Sequence, residues 1–321
     1  MRAFISLFID IITAVLMRLC DAARHHCAPK TSFFLTALFA PLLFSSAYAN
    51  ESERNIASLD WTVAETILAL GVTPVAVGDK RSYSHWVSQP ELPAESIDLG
   101  VRMQPNLELL IPLAASPKPL VFINSSFYNS ATPLLKKFTD HVEIVDFYTK
   151  GYAWHNVVNA TKQIATLLGK ETRFKQLMQD YKETINDIRP GLQSWMHRPV
   201  ALVQFIDTRH LRIYAQNSLF GAVLFQLGFQ NAWTGRHNQW GFENIDVAQL
   251  AKLPRNTRFV IIKPYPANLS NELKYNTLWQ HLELAKDPVI LPALWTFGGI
   301  PSAQRFAQMF AYHLLHRGEQ W

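Results

Sequence analysis

The sequence predicts an α/β fold in which two α/β lobes are joined by a single long helix. Short β-rich runs alternate with helical segments in both halves of the chain, whereas residues 153–190 contain no strand signal. Such alternation is typical of a mostly parallel sheet covered by helices. The chain has 321 residues, of which 49% are hydrophobic and 17% charged, and this length and composition suit two globular lobes.

The amino-terminal segment, residues 1–49, has the order of a secretory signal. Basic residues precede the apolar run SFFLTALFAPLLF and the small-residue sequence AYA follows it, so we expect cleavage after Ala49. A second apolar run, residues 3–17, exceeds what one signal needs. Either translation begins at Met17 or the presequence is unusually long. The alternative, a membrane anchor, is disfavoured because Pro41 interrupts the apolar run.

The cysteine content and the net charge exclude several kinds of site and partner. Cys20 and Cys27 both lie in the segment expected to be removed, so the mature chain would contain no thiol. This suits an oxidising compartment and argues against disulfides, cysteine nucleophiles and thiolate metal sites. The formal net charge is only +5 and Lys/Arg blocks are absent from the sequence, so we expect no nucleic-acid partner.

The first lobe is predicted over residues 50–152. It opens with strand IASLDW, helix TVAETILAL and strand TPVAVG, and Gly71 stands where a helix C-cap glycine is expected. PLVFIN and VEIVDF predict further strands, which alternate with the helical segments NLELLIPL and PLLKKF.

The connecting segment, residues 153–190, carries one apolar stripe in its second half, at the spacing of a helix. The stripe consists of Phe174, Leu177, Met178, Tyr181, Ile185 and Ile188. Pro190 and Gly191 end it, and α/β alternation restarts in the second lobe, residues 191–321. There the strands PVALVQFID, RFVIIKP and PVILP alternate with the helices SLFGAVLFQL, SNELKYNTLWQHL and SAQRFAQMFAYHLL.

Four loops carry large aromatic residues beside Asn, Ser and Gly: SYSHWVSQP, NSSFYNS, RHNQWGFEN and ALWTFGG. In α/β proteins, the loops at the carboxyl ends of the strands line the ligand cleft. Each aromatic residue alone could simply close one end of its lobe, but four such loops together favour an aromatic-lined cleft. Arg102, in GVRMQPNLELL, lies in a loop of the same kind.

Several separated segments resemble the periplasmic ferric hydroxamate siderophore-binding proteins (FhuD-like) of ATP-driven iron import. They are LDWTVAETILALGVTPVAVGD, YSHWVSQPELP, IDLGVRMQPNLELL, FIDTRHLRIYAQNSLF, NAWTGRHNQWG and PALWTFGG. The resemblance covers essentially the whole mature chain. It implies the helical-backbone (class III) periplasmic binding protein fold and a protein located in the periplasm.

The resemblance implies that Arg102 donates hydrogen bonds to the hydroxamate oxygens around Fe³⁺, for which a planar, permanently charged guanidinium is suited. A surface ion pair with Asp98 is the alternative. Tyr128 would assist Arg102, with Phe127 as the aligned alternative that cannot hydrogen-bond. The family positions that contact the siderophore skeleton correspond to Trp86, Trp240, Trp295 and Phe297, and a polar contact corresponds to Asn238. At position 297 the known relatives carry tyrosine.

Members of this family dock on an inner-membrane ABC permease through one acidic residue on each lobe. Glu108 matches the first acid, although it would also favour a helix dipole. The second aligns with Ala248, which leaves Glu243 or Asp246 as substitutes, and Asp246 could instead cap the following helix.

No catalytic motif is present in the sequence, so we expect a binding protein and not an enzyme. The protein would bind no cofactor directly, because the siderophore supplies all the ligands of Fe³⁺; His313 and His316 are spaced for a metal but lack a third ligand nearby in sequence. We expect a monomer. The rival functions are a haem or cobalamin carrier of the same fold and, more remotely, a secreted siderophore hydrolase.

Overall fold

The first lobe contains an all-parallel sheet. In the computed structural model, which describes residues 54–316, its strands lie in the order β3-β2-β1-β4-β5. The strands are β1 (Asn55–Ser58), β2 (Ala76–Val77), β3 (Ile97–Asp98), β4 (Leu120–Asn124) and β5 (Val142–Ile144). The helices are α1 (Trp61–Ala69), α2 (Lys80–Trp86), α3 (Ile111–Ala114) and α4 (Thr132–Leu135), and short 3₁₀ helices cover Leu107–Leu110 and Ser126–Tyr128.

Helix α1 begins and ends where local chemistry requires it. The Asp60 carboxylate accepts a 2.8 Å hydrogen bond from the Thr62 backbone N–H, which caps the amino end. Gly71 has a φ of 78°, in the left-handed region that glycine adopts without steric cost. The predicted C-cap glycine is therefore confirmed.

The connection between the lobes consists of two helices, α5 (Ala153–Leu168) and α6 (Glu171–Ile188). Gly169, with a φ of 65°, ends the first of them. Helix α6 is the predicted long helix; its 18 residues span about 27 Å at 1.5 Å per residue. The predicted stripe is confirmed, because Leu177, Tyr181 and Ile185 are buried and the other three members pack against the same core cluster.

The second lobe contains a mixed sheet with the order β10-β9-β6-β7-β8. Its strands are β6 (Val200–Phe205), β7 (His210–Tyr214), β8 (Phe242–Asp246), β9 (Arg258–Lys263) and β10 (Val289–Ala293). The β6–β7 and β7–β8 pairs are antiparallel, and the β6–β9 and β9–β10 pairs are parallel. Helices α7 (Leu219–Gln226), α8 (Leu269–Lys274), α9 (Thr277–His281) and α10 (Ile300–His316) complete the lobe, with 3₁₀ turns at Arg189–Trp195, Val247–Lys252 and Glu283–Ala285.

Strands β7 and β8 were not predicted from the sequence, and they make this sheet less parallel than expected. A tight turn at Asp207 creates the β6–β7 hairpin, since its carboxylate accepts hydrogen bonds from the backbone N–H groups of Arg209 and His210, both at 2.7 Å. The hairpin pairs Phe205 with Leu211 and Gln204 with Arg212. It therefore fixes which β7 side chains face the cleft.

One hydrophobic cluster runs through both lobes and the connecting helices. It includes Val63 of α1, Tyr181 of α6, Leu202 of β6 and Phe306 of α10. A shared core of this kind resists relative movement of the lobes, because opening it would expose apolar surface to water.

In the described part of the chain, no helix combines the length and the hydropathy needed to cross a membrane. The predicted signal segment, residues 1–49, lies outside the described residues. The predicted lobe boundaries at residues 152 and 191 stay predictions; the two sheets are built from residues 55–144 and 200–293.

Candidate ligand-binding site

A cavity of about 520 Å³ lies between the two lobes, where the loops after β1, β4, β5 and β10 converge. The carboxyl ends of parallel strands meet at one edge of a sheet, which is where α/β proteins bind ligands. The first lobe contributes Asp60, Thr62, Arg102, Ser125, Ser126, Phe127, Tyr128, Asp146, Phe147 and Tyr148. The second lobe contributes Arg212, Gln239, Trp240, Phe242, Trp295 and Phe297.

The Arg102 guanidinium lies on the face of an indole. Its Cζ atom is 3.6 Å from the centroid of the Trp61 ring, a cation–π contact, and its Nη1 atom donates a 2.7 Å hydrogen bond to the Tyr128 hydroxyl. The alternative ion pair with Asp98 does not form, because Asp98 Oδ1 accepts from the backbone N–H groups of Lys80 and Gly100. The guanidinium is thus oriented by aromatic residues and retains donors for a ligand.

A glycine allows Arg102 to take this position. A Cβ atom at Gly78 would lie 2.9 Å from the Arg102 Cγ atom and 3.3 Å from the Leu59 Cα atom. Any larger residue at position 78 would therefore displace the arginine stem. The Trp61 indole is fixed in turn, because its Nε1 atom donates a 2.9 Å hydrogen bond to the Gly78 carbonyl.

Tyr128 is 3% exposed and its hydroxyl reaches the cavity. Burial raises the pKa of Tyr128 well above its usual range, so the hydroxyl keeps its proton at neutral pH. Since its oxygen accepts from Arg102, its own proton remains available to a ligand oxygen. The aligned alternative, Phe127, is 61% exposed and contacts the Tyr128 ring edge-on at 5.2 Å between centroids.

Aromatic rings form a continuous wall on the second-lobe side of the cavity. Trp240 stacks with Phe242 at 6.4 Å, Phe242 lies 5.7 Å from Phe297, and Phe297 lies 5.4 Å from Trp295. The row of aromatic rings continues into the first lobe, because the ring centroids of Trp295 and Trp61 are 5.2 Å apart. Such a surface binds varied carbon skeletons, because apolar contact is not directional.

Hydrogen bonds across the lobes hold Trp295 in place. Its Nε1 atom donates to Thr62 Oγ1 at 3.0 Å, and Thr62 Oγ1 donates to the Phe297 carbonyl at 2.6 Å. The Tyr148 hydroxyl donates to the Gly298 carbonyl at 2.7 Å. The loop after β10 is therefore attached to α1 and to the loop after β5.

Two of the predicted ligand-binding residues do not line the cavity. Trp86, near the end of α2, packs with the apolar cluster that includes Tyr83 and Val87. Asn238 uses its side-chain oxygen to accept from the backbone N–H groups of Trp240 and Phe242, at 3.0 and 3.3 Å. Asn238 thus shapes the loop that presents Trp240.

The structure places other residues on the cavity wall that the sequence reasoning missed. Arg212 belongs to the unpredicted strand β7, so no loop signal marked it, whereas Phe242, the first residue of β8, lies in the predicted aromatic loop RHNQWGFEN. Asp60 and Asp146 lie near the carboxyl ends of the predicted strands IASLDW and VEIVDF, and this position is a signal that could have found them. Both acids accept hydrogen bonds from the protein: Asp60 from Thr62 N–H and the Ser125 hydroxyl, and Asp146 from a backbone N–H at 2.7 Å.

The predicted docking acids lie away from the cavity lining. Glu108 is exposed near the start of the 3₁₀ helix Leu107–Leu110. Glu243 is half-buried on β8, opposite Ile213. Asp246, its alternative, caps the 3₁₀ helix Val247–Lys252 by accepting from the Ala248 N–H at 2.8 Å, which is the structural role considered for it.

Within residues 54–316, no group of three or more His, Cys, Asp or Glu side chains is arranged to hold a metal ion. That the protein binds iron only through a chelator remains a prediction.

Comparison with known proteins decides the family. The periplasmic binding protein family model matches residues 56–287, which is most of the chain. The chain belongs to this family. It is 29% identical over 289 residues to the iron(3+)-hydroxamate-binding protein FhuD of Escherichia coli (strain K12), covering 86% of this chain and 93% of that protein. It is 25% identical over 264 residues to the Fe(3+)-citrate-binding protein YfmC of Bacillus subtilis (strain 168), covering 79% of each.

Solved structures agree on the fold of this family member. The Fe³⁺–Desferal-bound siderophore binding protein FhuD from Vibrio cholerae superposes with a TM-score of 0.75 at 24% identity, covering 84% of this chain and all of that one. Staphylococcus aureus SirA complexed with staphyloferrin B superposes with a TM-score of 0.60 at 18% identity, covering 82% and 93%. Two α/β lobes joined by a long helix, as predicted, are thus confirmed.

Proposed function

We propose that this protein is a periplasmic substrate-binding protein that captures ferric hydroxamate siderophores and delivers them to an inner-membrane ABC permease. The observation that carries the proposal is the Arg102–Tyr128 pair beside an aromatic-walled cavity. The hydroxamate binding named for the Escherichia coli relative supports it.

The chemistry of the chelate matches this pair. Three hydroxamate anions neutralise Fe³⁺, and their oxygens remain electron-rich on the outside of the complex. The Arg102 guanidinium and the protonated Tyr128 hydroxyl can both donate hydrogen bonds. Arg102 Nη1 lies 2.7 Å from the Tyr128 hydroxyl oxygen, so the two groups can donate to neighbouring oxygens of one hydroxamate. Fe³⁺ is cargo, held by the siderophore alone.

The aromatic wall would contact the siderophore's carbon skeleton through Trp240, Trp295 and Phe297. These rings impose few directional demands, so we expect several hydroxamates to bind. Trp86 and Asn238 would act indirectly, by supporting the wall and the 238–242 loop. On delivery, the protein would act as a monomer, with Glu108 and Glu243 meeting basic residues of the permease.

Tryptophan fluorescence titration tests the proposal. We expect ferrichrome and ferrioxamine B to quench the emission saturably, because Trp240 and Trp295 line the cavity and Trp61 contacts Trp295. Haem and cyanocobalamin should quench the protein emission no more than they quench free N-acetyltryptophanamide. This free tryptophan derivative controls for loss of emission caused by light absorption by the ligand. Saturable haem or cobalamin binding without hydroxamate binding would overturn the proposal and favour the rival carrier. Hydrolysis of a bound hydroxamate would favour the siderophore hydrolase.

A further inference from the structure

A second arginine, Arg212, reaches the cavity from the other lobe. It lies at the middle of β7, paired with Gln204 of β6 and Asn244 of β8. Alternation along the strand places it on the same side as Tyr214, away from Leu211 and Ile213, which belong to the core on the opposite face of the sheet. Its side chain therefore lines the cavity and not the surface.

The Arg212 guanidinium is held mainly by aromatic rings. Its Cζ atom is 5.3 Å from the centroid of Phe242 and 5.6 Å from that of Phe297. Its Nη1 atom donates a long hydrogen bond of 3.4 Å to Gln204 Oε1, and the Tyr214 hydroxyl lies nearby. Its Nε–H group is buried and finds no hydrogen-bond partner in the described part of the chain. A buried donor on a permanent cation is costly unless an acceptor satisfies it.

Within residues 54–316, no acidic side chain neutralises this cation. Among the described residues, no carboxylate forms an ion pair with Arg212 within 4.0 Å. The cavity acids Asp60 and Asp146 already accept hydrogen bonds from other groups of the first lobe. The Arg212 guanidinium therefore has an N–H donor on the second-lobe wall that no acceptor among the described residues binds.

The positive charge of Arg212 favours some classes of ferric chelate over others, according to the net charge of the chelate. A trihydroxamate complex is neutral, and the Arg102–Tyr128 pair can bind one of its faces. A second guanidinium on the opposite wall suits an anionic oxygen, since guanidinium–carboxylate hydrogen bonds are among the strongest in proteins.

We infer that Arg212 selects ferric siderophores that combine hydroxamates with a carboxylate, by binding the carboxylate oxygen from the second lobe. This inference rests on the proposed function, because it concerns the ligand of the same cavity. Arg102 and Tyr128 bind the hydroxamate side of such a complex, and Arg212 binds its carboxylate side.

The test compares two ferric ligands in the fluorescence titration. Ferric schizokinen, a citrate-based dihydroxamate, is anionic; ferrichrome is neutral. Arg212→Gln should weaken ferric schizokinen binding roughly 10- to 100-fold, the range for a hydrogen bond to a charged group. Ferrichrome binding should change by about threefold or less. Arg212→Lys should recover most of the schizokinen affinity because it keeps the charge.

Two controls separate charge recognition from damage to the wall. Arg255→Gln removes an exposed arginine outside the cavity lining and should leave both affinities unchanged. Circular dichroism and the melting temperature should show that Arg212→Gln is folded. Equal losses for both ligands, or no loss for either, would overturn the role of Arg212. Failure of the wild-type protein to bind either ferric ligand would instead overturn the proposed function.

Discussion

The Ser302 hydroxyl donates a 2.6 Å hydrogen bond to Glu65 Oε2, which joins α10 of the second lobe to α1 of the first. The other carboxyl oxygen, Oε1, accepts from the Gly299 backbone N–H. Glu65 is fully buried, and burial raises its pKa to about 8. At neutral pH this group is mostly a neutral acid within the contact between the lobes.

The Glu65 carboxyl makes stability depend on pH. Its pKa in the folded state, about 8, exceeds the ordinary value of 4.5, so the folded state binds the extra proton between these pH values. Raising the pH through this window therefore lowers the free energy of unfolding, by up to about 1.4 kcal/mol per pH unit. Glu65→Gln should abolish this contribution, because the amide does not titrate: its oxygen can accept from Gly299, and its NH₂ group can donate to the Ser302 hydroxyl once that hydroxyl turns to accept.

Thermal unfolding between pH 5 and 8 measures this effect. The melting temperature of Glu65→Gln relative to wild type should rise steadily with pH. The exposed-site control Glu95→Gln should show a constant difference from wild type across the same range. A pH-independent difference for Glu65→Gln would contradict a neutral buried carboxyl.

Arg102 and Tyr128 should act as a unit on hydroxamates. Arg102→Ala should weaken ferrichrome binding by about 1.5 to 3 kcal/mol, the range for hydrogen bonds to a charged group, and Tyr128→Phe by about 0.5 to 1.5 kcal/mol. Because the two side chains share a 2.7 Å hydrogen bond, the double variant should lose less than the sum of the single losses. Isothermal titration calorimetry on the four proteins gives this coupling directly.

Strict additivity in that cycle would show that the two side chains bind independently. Unchanged affinity in Arg102→Ala would mean that the guanidinium does not contact the ligand.

Thr62 should stabilise the contact between the lobes. Its hydroxyl accepts from Trp295 Nε1 and donates to the Phe297 carbonyl, and Thr62 is only 4% exposed. Thr62→Val keeps the shape but leaves both partners unsatisfied, so we expect a loss of about 1 to 3 kcal/mol in the free energy of unfolding. Urea unfolding monitored by tryptophan emission measures it. Thr149→Val, at an exposed position, is the matched control and should be near neutral.

Glu108 should affect transport and not capture. It is exposed and outside the cavity lining, so Glu108→Lys should leave the ferrichrome affinity unchanged while lowering permease-dependent uptake of radiolabelled ferrichrome. Glu243→Lys should act in the same direction from the second lobe. Glu183→Lys, at an exposed position on α6, controls for charge reversal alone. Normal uptake by both docking variants would contradict the proposed docking acids.

Local patterns predicted most of the regular elements. Gly71 marks the carboxyl end of α1 as predicted, and the apolar stripe of α6 packs into the core as its spacing predicts. The loop signals also found much of the cavity wall, since Arg102, Tyr128, Trp240, Trp295 and Phe297 all line it. Such signals depend on residues near one another in the chain, which is why the sequence carries them.

The sequence by itself thus determined two α/β lobes, a long helix between them and a set of aromatic loops. The tertiary structure decided that Trp86 packs in an apolar cluster outside the cavity lining, that the Asn238 side chain bonds within the loop of Trp240, and that Arg212 lines the cavity. It also decided that Glu65 is buried against Gly299, 234 positions away in the chain. Strand order and the packing of one lobe on the other bring together residues that are far apart in the sequence. Contacts between distant residues leave no periodic pattern in any one segment, so the sequence alone does not reveal them.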